Sequence, residues 1–148
     1  MVVGCGLGHD AEFVAGLGFD VVGFDISPAA VTTARERYPR SPVRYVVADL
    51  FDLPGDWTRA FDLVVEIYCV QALPPATREQ VIGAVTGLVA DGGTLLVVAS
   101  ARDDTGAVSG PPWPLTRAEM SMFGAGSDTV RLERLSDRWL AEFRRPAG

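Results

Sequence analysis

Gly4-Cys5-Gly6-Leu7-Gly8-His9-Asp10, preceded by Met1-Val2-Val3, is the stretch that decides the fold. A short β-branched run stops at a glycine, and three glycines at alternate positions let the backbone turn tightly and approach a ligand closely. Helical spacing then takes over, with Phe13, Val14 and Leu17 marking an Asp10–Leu17 helix that Gly18 ends. Strand, glycine loop and helix together open a nucleotide-binding α/β sheet. The spacing narrows the choice. The dinucleotide fingerprint needs Gly or Ala where His9 stands, and a phosphate-cradling loop needs a Lys that this chain lacks. Both departures speak against NAD and ATP.

The same alternation continues outward. Asp20–Phe24 reads as a second strand, and Ser27-Pro28 as the N-cap and first turn of a helix that runs to Tyr38. Val43–Val47 is a third strand and Phe61–Glu66 a fourth, apolar enough to be covered on both faces. A helix over Thr77–Leu88, capped by Thr77 with Gln80, leads through a turn at Asp91-Gly92-Gly93 into a fifth strand, Thr94–Ser100. Arg102–Pro114 is a loop, and Thr116 with Glu119 forms a capping box for a short helix to Phe123. Thr129–Leu135 and Trp139–Phe143 are late strands around Ser136-Asp137. Such alternation predicts five parallel strands with right-handed crossovers, closed by an antiparallel hairpin. Neither a repeat nor a linker interrupts it, so residues 1–148 are expected to form one domain.

Composition sets the outer bounds. At 148 residues and 48% hydrophobic, the chain can bury a proper core. A net charge of −6 argues against a broad nucleic-acid binder, which needs a basic face. The apolar runs fall far short of the roughly 18 residues of a membrane span. The first residues carry no basic or long apolar leader, and two cysteines are too few for a disulfide scaffold. A cytoplasmic protein with reduced thiols is therefore expected. All 13 basic residues are Arg, and Lys and Asn are absent, as codon usage in a GC-rich bacterial genome would produce.

Ligands on such sheets bind beyond the carboxyl ends of the strands, at the switch in strand order. Strand two ends at Asp25-Ile26, where a carboxylate can accept from adjacent ribose hydroxyls; an exposed turn aspartate is the plain alternative. Strand three ends at Ala48-Asp49-Leu50-Phe51, an acid suited to an adenine amino group beside apolar contacts, or simply a loop Asp with core neighbours. Strand four ends at Glu66-Ile67-Tyr68-Cys69. Glu66 there is costly unless a ligand amine or a backbone amide pairs with it.

Gly4-Cys5-Gly6-Leu7-Gly8, Asp25, Ala48-Asp49, Phe61–Glu66 and Asp91-Gly92-Gly93-Thr94-Leu95 together resemble a class I S-adenosylmethionine-dependent methyltransferase. Gly8-His9-Asp10, Phe24-Asp25-Ile26-Ser27 and Ala72-Leu73-Pro74-Pro75 with Arg78 are similar to its thiopurine and halide/thiol methyltransferase group. The resemblance implies a three-layer Rossmann-like α/β sandwich with sheet order 3-2-1-4-5-7-6, strand seven antiparallel. It also implies a site. Gly4, Cys5, Gly6, Leu7 and Gly8 would pass under the methionine and ribose. Asp25 would hold the ribose hydroxyls and Ile26 the adenine face. Asp49 and the Leu50 amide would take the adenine edge, and Glu66 and Ile67 would flank the methionine. The N-terminal helices that precede strand one in the family, and its usual strand-one acid, are missing from this sequence.

The expected reaction is methyl transfer from S-adenosylmethionine, leaving S-adenosylhomocysteine, to a small-molecule acceptor such as a thiol. Alignment at near-attack distance can supply about 7–11 kcal/mol, and a thiolate needs no base. A domain that binds S-adenosylmethionine or S-adenosylhomocysteine without turnover is the alternative, and a nicotinamide oxidoreductase the third reading. No catalytic residue and no metal are assigned. His9, the sole imidazole, is the candidate base, although a residue that opens the first helix and contacts backbone or the cofactor carboxylate is the simpler account. Tyr68 and Gln71 follow strand four and are candidate acceptor contacts, as is Trp113 in its Gly-Pro-Pro-Trp-Pro loop; ordinary packing is the rival account of each. Cys5 and Cys69 read as inert thiols, Trp57 and Trp139 as packing.

Overall fold

A computed structural model describes all residues, 1–148. Seven strands form one sheet: β1 (Val2–Val3), β2 (Val22–Asp25), β3 (Arg44–Val47), β4 (Phe61–Ile67), β5 (Val89–Ser100), β6 (Asp128–Leu135) and β7 (Arg138–Arg144). Their order is β3-β2-β1-β4-β5-β7-β6. The first five run parallel, and β7 lies antiparallel between β5 and β6. The helices are α1 (His9–Gly16), α2 (Pro28–Arg37), α3 (Arg78–Gly87) and α4 (Arg117–Met122).

Side chains of a strand alternate between faces. Val64 belongs to a core cluster with Val85, Leu88, Leu95, Val97 and Phe143. Val65, the next residue, belongs to the other cluster, with Val2, Val14, Val31 and Tyr45. The two clusters are the apolar layers on opposite faces of the sheet, and helices cover both, as continuous apolar runs in parallel strands require. Trp57 sits in the first cluster, packed on Phe24 and Phe61 with ring centroids 5.5 and 6.0 Å away.

The helix caps separate sound local readings from one that fails. Ser27 Oγ accepts the Ala30 N–H at 3.2 Å, with Pro28 in the first turn of α2. Thr116 Oγ1 accepts the Glu119 N–H while Glu119 Oε2 accepts the Thr116 N–H, a complete capping box for α4. Thr77, by contrast, does not cap α3. Its hydroxyl donates back to the Pro74 carbonyl at 2.8 Å, because Pro75–Thr77 already forms a 3-10 turn.

Two strand bounds also shift. Asp91-Gly92-Gly93 is no free turn but an irregularity inside β5, where pairing with β4 jumps from Phe61↔Val89 to Leu63↔Thr94. The C-terminal segment holds it: Pro146 O accepts from Gly92 and Gly93 O accepts from Arg145. β2 starts at Val22 rather than Asp20, level with Arg44 of β3.

Candidate functional site

At the carboxyl ends of β1 to β4 the sheet opens into a cavity of about 320 Å³. Gly4 enters it from the β1 end, Phe24, Asp25 and Ile26 from β2, Ala48 to Phe51 from β3, and Ile67, Tyr68, Cys69, Ala72 and Leu73 from the β4 side. Three of the chain's exposed large apolar side chains stand around it: Ile26 is 65% exposed, Phe51 43% and Tyr68 39%. Apolar groups gathered at one opening single it out as the candidate binding site.

The glycine loop fits this place for steric reasons. Gly4 has φ +60°, and a Cβ on it would run into Cys69 Sγ. The loop therefore lies flat against the β4 turn. Gly6, at φ +50°, has no other part of the chain within 4 Å of where a Cβ would stand. Asp25 fixes the loop from the neighbouring strand. Its Oδ2 accepts the Gly6 N–H and its Oδ1 the Ser27 N–H, each at 2.9 Å. A carboxylate has about four acceptor positions, so two remain for a ligand. Asp49 Oδ1 accepts the Phe51 N–H at 2.9 Å, leaving Oδ2 unengaged, and the Leu50 N–H donates to no group of the chain.

Residues 1–93, nearly two thirds of the chain and the part that contains this cavity, match the methyltransferase domain family. The chain belongs to that family. Its sheet order places it in class I, whose methyl donor is S-adenosylmethionine. Thiocyanate methyltransferase 1 of Arabidopsis thaliana is 33% identical over 119 residues, which are 76% of this chain and 50% of the plant protein. A probable thiopurine S-methyltransferase of Yarrowia lipolytica is 24% identical over 152 residues, 90% of this chain and 70% of the yeast protein. The chain thus spans half the length of the first relative. A solved S-adenosylmethionine-dependent methyltransferase from Methanosarcina mazei shares the fold, with a TM-score of 0.81 at 17% identity over 99% of this chain and 92% of that one.

In this methyltransferase domain the structure gathers Gly4, Asp25, Ile26, Asp49, Leu50, Ile67 and Tyr68 around one cavity. Other sequence candidates lie apart from its lining. Cys5 is buried near Gly23, Leu7 is exposed, and Gly8 packs against the Tyr45 hydroxyl. His9 is on the surface of α1, its Nε2 3.1 Å from Arg37 and its ring edge-on to Tyr38. Gln71 is buried, its Oε1 accepting the Ser100 N–H at 2.6 Å. The Trp113 N–H donates to the Gln71 carbonyl at 2.7 Å, in a half-buried segment outside the lining.

Glu66 is fully buried on the same face of β4 as Val64. Of the two partners the sequence left open, the structure supplies the backbone amides. Its Oε1 accepts from Cys69 at 2.6 Å and Val70 at 2.8 Å, and Oε2 has no partner. Burial raises its carboxyl to about 7, against the two amides and Arg78, which lower it. Burial likewise pushes the thiols up, Cys5 to about 11 and Cys69 to about 12, and both are free. These are protonated, inert thiols.

Sequence reasoning missed Arg78 as a structural residue, though it noted the position. It also missed the apolar wall of Phe24, Ala72 and Leu73. Nothing in their types marks those three. Only the sheet order brings the β2 and β4 ends to the two sides of β1.

Proposed function

We propose that the chain catalyses methyl transfer from S-adenosylmethionine to a small soft nucleophile, a thiol or thiocyanate-like anion. The observation that carries this reading is the convergence of Gly4, Asp25 and Asp49 on one apolar cavity at the switch between β1 and β4. The residues present fit the donor. Asp25, with two acceptor positions left, holds the ribose diol; charge-assisted hydrogen bonds contribute about 1.5–3 kcal/mol each. Asp49 Oδ2 accepts the adenine amino group and the Leu50 N–H serves a ring nitrogen. Ile26, Phe51 and Leu73 sandwich the ring, and the bare Gly6 backbone leaves room for the ligand chain. When bound, the sulfonium supplies an electrophilic methyl group for in-line displacement.

The β4 side of the cavity, which faces the acceptor, offers Ile67, Tyr68 and Cys69 but no imidazole, since His9 is engaged with Arg37. That supports an acceptor already nucleophilic at neutral pH, which positioning alone activates. The names of the Arabidopsis and Yarrowia relatives support the same class. No helix is long and apolar enough to cross a membrane. With two free thiols, this supports work in a reducing compartment such as the cytoplasm.

Calorimetry with S-adenosylmethionine, S-adenosylhomocysteine and NAD tests the donor, and turnover of thiocyanate, a small aryl thiol and iodide tests the acceptor. Binding of S-adenosylhomocysteine with methylation of a thiol or thiocyanate is expected. Binding without turnover of any acceptor assigns the chain to a non-catalytic binding domain, and binding of NAD alone sinks the reading.

A further inference from the structure

The chain buries four polar or charged residues, Glu66, Gln71, Arg78 and Thr116, and all four belong to one hydrogen-bonded network. It lies directly behind the β4 wall of the cavity. Glu66 Oε1 gathers the Cys69 and Val70 amides. Arg78, 5% exposed, donates from NH1 to the Val70 carbonyl at 2.6 Å and from NH2 to the Trp113 carbonyl at 2.9 Å. Its Nε donates to Glu119 Oε1 at 3.1 Å, and Glu119 closes the capping box with Thr116. Gln71 takes the Trp113 N–H on its carbonyl and the Ser100 N–H on its side chain. Trp113 is thus pinned by its N–H to the turn that lines the cavity and by its carbonyl to Arg78 of α3.

Buried charge is a poor way to gain stability, because desolvation offsets most of the attraction. Its attested use is to specify one arrangement among several. Tyr68, adjacent to the network, holds the strained left-handed conformation, φ +58°, so this turn does not set its own shape. We propose that Glu66 and Arg78 are positioning residues of the donor cavity: from behind its wall they hold the Tyr68–Leu73 turn and the Trp113 segment in one arrangement, touching no ligand themselves. This rests on the cavity being the S-adenosylmethionine site.

The test uses the whole chain, Glu66→Leu, Arg78→Met and Arg78→Lys, with S-adenosylhomocysteine as probe. Amide hydrogen exchange in the free chain is the second readout. Glu66→Leu, which removes the acceptor of the Cys69 and Val70 amides, and Arg78→Met are expected to speed exchange at 69–73 and 110–115 but not in β2 and α2. They are expected to weaken S-adenosylhomocysteine about tenfold, the equivalent of roughly 1.4 kcal/mol, at a temperature where each variant is folded. Arg78→Lys, which keeps the cation, recovers part of both effects. A merely structural role would lower the melting temperature and leave affinity and local exchange of the folded variants at wild-type values, and that result overturns the proposal. Should Arg78→Met not fold, the similar-sized Glu66→Leu decides. Absence of binding by the wild-type chain is seen before any variant is compared; it overturns the cavity reading and the proposal with it.

Discussion

The Asp25 carboxylate takes the Gly6 N–H at 2.9 Å, so the residue that ends β2 shapes the loop that ends β1. The same carboxylate lines the cavity. One side chain thus both sets the loop geometry and faces the cavity. Asp25→Ala is expected to weaken S-adenosylhomocysteine by about tenfold or more, since even one charged hydrogen bond contributes about 1.5–3 kcal/mol. Asp25→Asn, which keeps one acceptor, is expected to fall between. Titration calorimetry measures both, and unchanged affinity refutes the ribose assignment.

Gly4 and Gly6 both have positive φ but differ in their surroundings. Alanine at either position carries the left-handed cost of about 1–2 kcal/mol. Only at Gly4 does the added Cβ also meet Cys69 Sγ. Gly4→Ala is therefore expected to unfold at lower urea concentration than Gly6→Ala, and Cys69→Ala to restore part of the difference. Equal midpoints would show that the loop and the β4 turn are not in contact.

Glu66 gives the fold a pH signature. Its carboxyl is raised from 4.5 to about 7, so between those values the unfolded chain ionises while the folded chain keeps its proton. The unfolded state then binds fewer protons, and this group's contribution to stability falls as pH rises from 4.5 to 7 and stays low above. Of the elements packed on Glu66, α3 presents the Arg78 cation and the following turn the Cys69 thiol; β1 and β5 present Val3 and Val97 alongside it. In Glu66→Gln this term is gone, so its stability relative to wild type should be higher at pH 8 than at pH 5. Urea unfolding at both values measures it, and a pH-independent difference would contradict the assignment.

Thr116 closes the capping box on α4. Thr116→Ala removes the acceptor for the Glu119 N–H, and N-cap losses of this kind cost about 0.5–2 kcal/mol. Because Glu119 also receives Arg78, the loss is expected toward the upper end of that range. A thermal or urea midpoint equal to wild type would show that the cap contributes nothing.

Local rules were legible wherever a residue's role depends on its near neighbours. Ser27-Pro28 and Thr116-x-x-Glu119 announce helix starts, and the apolar run Phe61-Asp62-Leu63-Val64-Val65 announces a buried strand. Thr77 misled because its hydroxyl could either accept an N–H of the first helical turn, as a cap does, or donate to the Pro74 carbonyl, and the preceding Pro74-Pro75 set the turn toward the second. Asp91-Gly92-Gly93 misled because strand pairing with the C-terminal segment overrides a glycine turn preference.

By itself the sequence determined the alternation of strands and helices, the glycine loop and the acids at the ends of β2 and β3. Those features follow from backbone freedom and side-chain period, which are properties of a few adjacent residues. Tertiary structure alone decided which residues meet in the cavity, and that Glu66 turns to backbone amides in the core. It also joined Gln71, Arg78 and Trp113 into a frame behind the wall. The reason is distance along the chain: Arg78 and Trp113 are 35 residues apart, and only the sheet order and the packing of α3 bring them within 2.9 Å.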